Sequence, residues 1–205
     1  LCSYKDYLVH QVGKRAIDVK LNCEATPEML SGKFDAVLIA VGAEPLMLPL
    51  PGFNTDNGIV ATDAYGREDQ LGHKVVVIGG GQVGCETALH LADKGLDVSI
   101  IEMQSSLCPD ASKTCGDEIR ILLEENPNFT AITSARCQSV TKHSVTYLDA
   151  EGVEQTITCD TVVLAAGFRA RQDVVASLYS PDYDFAVIGD ARRARRVLNA
   201  VREGF

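Results

Sequence analysis

The chain has 205 residues, 46% of them hydrophobic, which is room for one large domain or two small ones around a packed core. Its formal net charge of −9 opposes a phosphate backbone and argues against nucleic-acid binding. No apolar run approaches the roughly 18 residues of a spanning helix, which argues against a membrane protein.

In chain order, the first expected strand covers 17–21 and the second is the run Ala36-Val37-Leu38-Ile39-Ala40-Val41. Residues 43–58, with Pro45, Pro49, Pro51, Gly52 and Gly58, read as a connection. Val75-Val76-Val77-Ile78 and Val98-Ser99-Ile100-Ile101 have the uniform hydrophobicity of strands covered on both faces of a parallel sheet. Between them, 82–94 carries Val83, Leu89 and Leu91 among small residues, as suits a helix lying close to a sheet. A second helix is predicted over 114–125, with Ile119, Leu122 and Leu123 facing inward and Asn126-Pro127 ending it.

From 135 to 159 the pattern changes to two-residue alternation, with a turn at Asp149-Ala150-Glu151-Gly152, and predicts an antiparallel meander. Val162-Val163-Leu164-Ala165-Ala166 and Phe185-Ala186-Val187-Ile188 are the last apolar runs, followed by a helix that reaches Gly204. The final strand and helix have no sheet of their own unless they join the opening strands. The expected fold class is therefore α/β. A Rossmann-like domain over 70–168 (β-α-β-α-β, antiparallel meander, β) is inserted in an incomplete second domain formed by 1–60 and 171–205.

Gly79-Gly80-Gly81-Gln82-Val83-Gly84 matches G-x-G-x-x-G. It follows a strand directly and opens a helix, the setting that turns a common glycine pattern into a dinucleotide fingerprint. Gly79 permits the tight turn, Gly81 lets a pyrophosphate approach the backbone, and Gly84 lets helix and strand pack closely. The helix N-terminus offers free N–H groups and a positive dipole end to the phosphates. Glu102 closes the next strand, 18 residues after Gly84. A carboxylate there accepts both hydroxyls of an adenosine ribose and repels a 2′-phosphate. Met103, Gln104, Ser105 and Ser106 supply no cation for such a phosphate, so NAD(H) is favoured over NADP(H). Glu86, read as lying in the helix's first turn, is either a surface carboxylate favoured by the dipole or a group near the nicotinamide.

The remaining titratable residues offer no chemistry at a recognisable spacing. His10, His73, His90 and His143 are scattered and read as surface or satisfied histidines. Arg192-Arg193 and Arg195-Arg196 read as a solvated helix face. The seven cysteines, Cys2, Cys23, Cys85, Cys108, Cys115, Cys137 and Cys159, are odd in number and form no CxxC pair. They argue for free thiols in a reducing, cytoplasmic setting and against a disulfide framework, a zinc site or a dithiol redox centre. No catalytic residue and no metal site is assigned. No tyrosine has a lysine four positions later, so a free-standing short-chain dehydrogenase is disfavoured. Leu1 is not an initiator methionine and no signal-peptide pattern follows it, so a piece of a longer protein is expected.

Three flanking motifs make the chain resemble the two-dinucleotide-domain flavoproteins, the pyridine nucleotide-disulfide reductase superfamily. They are Phe34-Asp35-Ala36-Val37-Leu38-Ile39-Ala40-Val41-Gly42-Ala43-Glu44-Pro45, then Cys159–Gly167, then Ile188-Gly189-Asp190-Ala191. The first two resemble the crossings between FAD and NAD domains, which brings Ala166 and Gly167 to the NAD site and Ala40, Val41 and Gly42 to the FAD site. The third resembles the motif whose glycine and aspartate, here Gly189 and Asp190, meet the FAD. Val41 stands where the motif usually has threonine, and Ala166 is a mild variant.

A narrower resemblance, to the 2,4-dienoyl-CoA reductase and 2-enoate reductase family, rests on several further segments. They are Tyr7-Leu8, Asp18-Val19-Lys20-Leu21-Asn22 with Ala25-Thr26, Gly81–Ala88 and the ending Ala200–Phe205. It implies an NADH-docking module whose parent carries FAD here, with FMN on an upstream barrel and a 4Fe-4S cluster on a short upstream cysteine motif, and reduces activated C=C bonds. Partners implied are NADH, that barrel and, for the parent, further copies of itself. The family's first glycine fingerprint, for the FAD adenosine, is expected upstream of Leu1. Alternative readings are a non-catalytic NAD(H)-binding or electron-partner module and another flavoprotein of the superfamily, such as an NADH oxidase or a disulfide reductase.

Overall fold

The computed structural model describes residues 2–54 and 58–205, so positions 55–57 of the expected connection lie outside the described residues. The chain opens with helix α1 (Cys2–Gly13) and the single turn α2 (Pro27–Leu30), followed by strands β1 (Ala36–Ile39), β2 (Ala43–Pro45) and β3 (Gly58–Val60). A short helix α3 (Ala61–Ala64) leads to β4 (Lys74–Ile78), α4 (Gln82–Asp93), β5 (Asp97–Ile101), α5 (Lys113–Glu125) and β6 (Phe129–Ile132). The meander follows as β7 (Arg136–Val140), β8 (Ser144–Leu148) and β9 (Glu154–Thr158), and then β10 (Thr161–Leu164). The chain closes with β11 (Phe168–Ala170), α6 (Gln172–Ser177), β12 (Asp184–Val187) and α7 (Val197–Gly204).

Five strands form one parallel sheet in the order β3-β10-β4-β5-β6. Its two faces feed two cores, because successive side chains of a strand point to opposite sides. Val75, Val77, Val98 and Ile100 pack with Cys85, Ala88, Leu91 and Ala92 of α4 and Ile119 and Leu123 of α5. Val76, Ile78, Ile101, Val162 and Leu164 meet Val140, Val145 and Cys159 of the meander and its exit. Each fully buried aliphatic side chain contributes about 1.5–3 kcal/mol. The near-continuous apolar runs are thus explained: helices cover one face and the meander covers the other, which is the α/β Rossmann-like fold expected.

The closing strand does join the opening one. β12 pairs parallel with β1, Ala36 opposite Asp184 through Ile39 opposite Val187. Two short segments expected as connection are strands. β3 edges the main sheet against β10, and β2 pairs antiparallel with β11, so the two crossings between sheets form a ribbon of their own. In that ribbon Glu44 sits opposite Arg169 and accepts from its guanidinium at 2.7 Å. Pro45, which has no N–H, stands at the end of the ladder, where none is missed.

Three expectations need correction. No strand forms over 17–21: Ile17, Val19 and Leu21 are exposed, and among the described residues no strand pairs with this segment. Leu122 faces outward, 45% exposed, while Ile119 and Leu123 are buried. Their spacing of four defines the inward face, and Leu122 lies one residue off it. The Arg192–Arg196 cluster is not a helix face. It lies in the turn before α7, where Arg192 and Arg195 both pair with Glu203. That pairing, led by the Arg195 hydrogen bond, holds the Glu203 carboxyl below its ordinary value. No helix among the described residues is long and apolar enough to cross a membrane.

Candidate dinucleotide site

The glycine turn lies between the C-terminal end of β4 and the start of α4, and its geometry demands glycine at two positions. Gly79 has φ +108°, and a Cβ there would lie well under 3.0 Å from the Ala165 carbonyl oxygen at the end of β10. A Cβ at Gly84 would drive still further into the Gly79 carbonyl, so this glycine sets how closely α4 lies on the sheet. Gly80 is boxed in from the other side. A Cβ there would meet Leu107 Cδ2 at 2.6 Å and Glu102 Cβ at 2.9 Å. Its carbonyl accepts from the Cys108 backbone N–H at 2.8 Å and from the Cys85 thiol at 3.2 Å. Interaction with the neighbouring Cys108, with burial added, pushes the Cys85 thiol up, and the same interaction holds Cys108 down.

Glu102 follows β5 and is buried, 6% exposed. Its Oε2 accepts from the Gly80 N–H at 2.5 Å, and its Oε1 accepts from the Gln104 N–H at 2.8 Å. Such donors satisfy oxygen atoms that burial would otherwise leave without partners. The same bonds fix it beside the glycine turn, with lone pairs to spare for the two hydroxyls of a ribose.

These groups face a cleft of about 600 Å³ at the C-terminal edge of the parallel sheet, where open α/β sheets bind ligands. Gly79, Gly81, Val83, Glu102, Ala166 and Gly167 all line it. Gly80 and Gly84 are buried beneath the turn, and Gln82 opens α4. Glu86 does not share the cleft wall. It lies in the second turn of α4, exposed, and accepts from the Gln82 side chain at 2.8 Å. The cleft thus brings together a tightly packed glycine turn, the N-terminus of α4 and a buried acid.

Two residues of this cleft have no motif to announce them. Asp110, after Pro109, reaches back so that its Oδ1 accepts from the Gln82 N–H at 2.8 Å. Arg136, the first residue of β7, lines the same wall because Ala135 is bonded to the Glu102 carbonyl at 2.8 Å. Neither contact follows from local spacing. His90 is a satisfied histidine: its Nε2 meets Glu68 Oε1 at 2.5 Å and its ring packs on Tyr65. That bond holds the Glu68 carboxyl down at about 2.

The residues expected at an FAD gather elsewhere, on the small sheet. Because β1 and β12 are parallel and in register, Ala40, Val41 and Gly42 leave β1 beside Gly189 and Asp190, which leave β12. The Gly189 N–H donates to Glu203 at 2.8 Å, and Asp190 Oδ1 accepts from the Arg195 N–H at 3.1 Å. Gly42 has φ +77°, a conformation that favours glycine, with nothing within 4 Å of the position a Cβ would take.

Residues 6–181 match the model of the pyridine nucleotide-disulphide oxidoreductase family. The chain belongs to that family. Its members are flavin- and pyridine-nucleotide-dependent oxidoreductases, which implies binding of FAD and NAD(H). The chain is 33% identical to a bilirubin reductase of Mediterraneibacter gnavus, over 97% of its own length and 31% of the relative's. It is 30% identical to a cinnamate reductase of Clostridium sporogenes, over 90% of its length and 28% of the relative's. Among solved structures it resembles a 2-naphthoyl-CoA reductase in complex with 2-naphthoyl-CoA, with a TM-score of 0.87 and 27% identity. That match covers 97% of this chain and 30% of the other. The chain therefore spans about a third of the length of these relatives.

Proposed function

We propose that this chain is the NADH-docking part of a flavin-dependent oxidoreductase of the enoate and dienoyl-CoA reductase type. The observation that carries it is the buried Glu102 carboxylate, held by the Gly80 and Gln104 N–H groups at the mouth of the glycine turn. Residues 70–168 form the NAD(H) domain, and 1–60 with 171–205 contribute to an FAD domain. Support for the substrate type comes from relatives named for reducing bilirubin, cinnamate and 2-naphthoyl-CoA, all conjugated unsaturated compounds.

In this reading NADH supplies a hydride and FAD accepts it. The chain's own residues bind and orient. Glu102 takes the adenosine ribose hydroxyls, and the N–H groups of Gln82 and Val83 take the pyrophosphate at the positive end of α4. Ala166 and Gly167 border the nicotinamide half, and Gly42, Gly189 and Asp190 hold the FAD side. FMN on a preceding barrel and a 4Fe-4S cluster on a preceding cysteine motif complete the proposed parent.

The test is anaerobic mixing of the longer parent with NADH while the flavin absorbance is followed. Bleaching that saturates with NADH, and is slower with NADPH at equal concentration, is expected. A flavin that NADH leaves oxidised would favour a non-catalytic NAD(H)-binding module instead.

A further inference from the structure

The acid that caps α4 comes from outside the helix. Gly81, the residue before it, has no side chain to offer, so the first N–H groups of α4 have no local acceptor. Asp110 supplies one through its bond to the Gln82 N–H at 2.8 Å, and a Cβ on Gly81 would come within 3.3 Å of its other carboxylate oxygen. A carboxylate therefore stands where the docking reading puts a pyrophosphate. Like charges cannot share one N–H donor in so small a space. The Asp110 backbone is itself held, because its carbonyl accepts from Arg196 Nη2 at 2.7 Å. The exposed side chain can thus swing into solvent by bond rotation, while its loop stays docked beside the cleft.

We infer that Asp110 is a self-ligand of the pyrophosphate site, an internal acid that competes with NADH for the Gln82 N–H and leaves when NADH binds. This rests on the docking reading above. A carboxylate at an exposed helix N-terminus stabilises it by about 0.3–1 kcal/mol, and NADH must overcome that preference before it binds. Converted to affinity, removing the acid tightens binding by about two- to fivefold.

The experiment is calorimetric titration of the chain, as wild type, Asp110→Ala and Asp110→Asn, with NADH, ADP-ribose and adenosine. Tighter binding of NADH and ADP-ribose by Asp110→Ala is expected, with a smaller gain for Asp110→Asn, which keeps an acceptor without the charge. Adenosine, which lacks the pyrophosphate, binds all three proteins alike. Unchanged or weaker NADH binding by Asp110→Ala, with wild type still binding, overturns the self-ligand and leaves the docking site standing. An equal gain for adenosine also overturns it, since the effect would not lie at the phosphates. If none of the proteins binds any of the three compounds, the docking reading falls and the self-ligand with it.

Discussion

Glu102→Ala is expected to weaken NADH binding by roughly 30- to 150-fold, about 2–3 kcal/mol. That is the loss of hydrogen bonds from two ribose hydroxyls to one charged acceptor. The side chain is buried and both its oxygens are already bonded, so its removal also leaves the Gly80 and Gln104 N–H groups short of an acceptor. Two comparisons separate the ribose contact from damage to the turn. Gln104→Ala leaves Glu102 in place, because Gln104 is bonded to it through the backbone, and so costs far less. NADPH binding, opposed in the wild type by the Glu102 charge, falls less than NADH binding in Glu102→Ala, so the ratio of the two dissociation constants moves toward one. Equal losses from Glu102→Ala and Gln104→Ala, measured by calorimetry, would show that Glu102 does not hold the ribose.

Gly84→Ala carries the largest expected cost in stability, about 2–4 kcal/mol. The added methyl would meet the Gly79 carbonyl oxygen and lie 3.2 Å from Ala165 Cβ. Both belong to the sheet side of the interface, and neither can rotate away. α4 must therefore lift from β4 and β10, opening the core around Cys85, Ala88 and Leu91. For a chain of this size that lowers the melting temperature by roughly 5–15 °C. It also moves the Gln82 N–H out of line with a bound phosphate. Gly13→Ala is the control: a Cβ at Gly13 meets nothing within 4 Å. A melting temperature for Gly84→Ala within a degree of the Gly13→Ala value, read by circular dichroism, would mean that close packing of α4 is not what Gly84 provides.

The parts of the fold that were legible in the sequence are those decided by local composition. Four residues in a row from Val75 to Ile78 read as a strand because both of its faces are covered. Gly79–Gly84 read as the turn from strand to helix because strand, glycines and helix come in one order. Even the pairing of the closing strand with the opening one followed from the lack of any other sheet for it to join. What was hidden depends on contacts distant in sequence. β3 is three residues long and exists through its bonds to β10, and β2 through its bonds to β11, more than a hundred positions away. Asp110 reaches Gln82 across 28 positions, and no spacing rule marks an acid after a proline as the cap of a preceding helix. Arg136 joins the cleft because Ala135 bonds to the Glu102 carbonyl at the sheet edge. The opposite error is the strand expected over 17–21, which no described strand pairs with.

The glycine turn and Glu102 make one claim together: this cleft takes a dinucleotide whose adenosine ribose carries a free 2′-hydroxyl. Side-by-side calorimetric titration of the wild-type chain with NADH and NADPH tests it most directly. The account predicts saturable, one-to-one binding of NADH and at least tenfold weaker binding of NADPH, about 1.4 kcal/mol apart. Absence of NADH binding, or NADPH binding as tight as NADH, would contradict it.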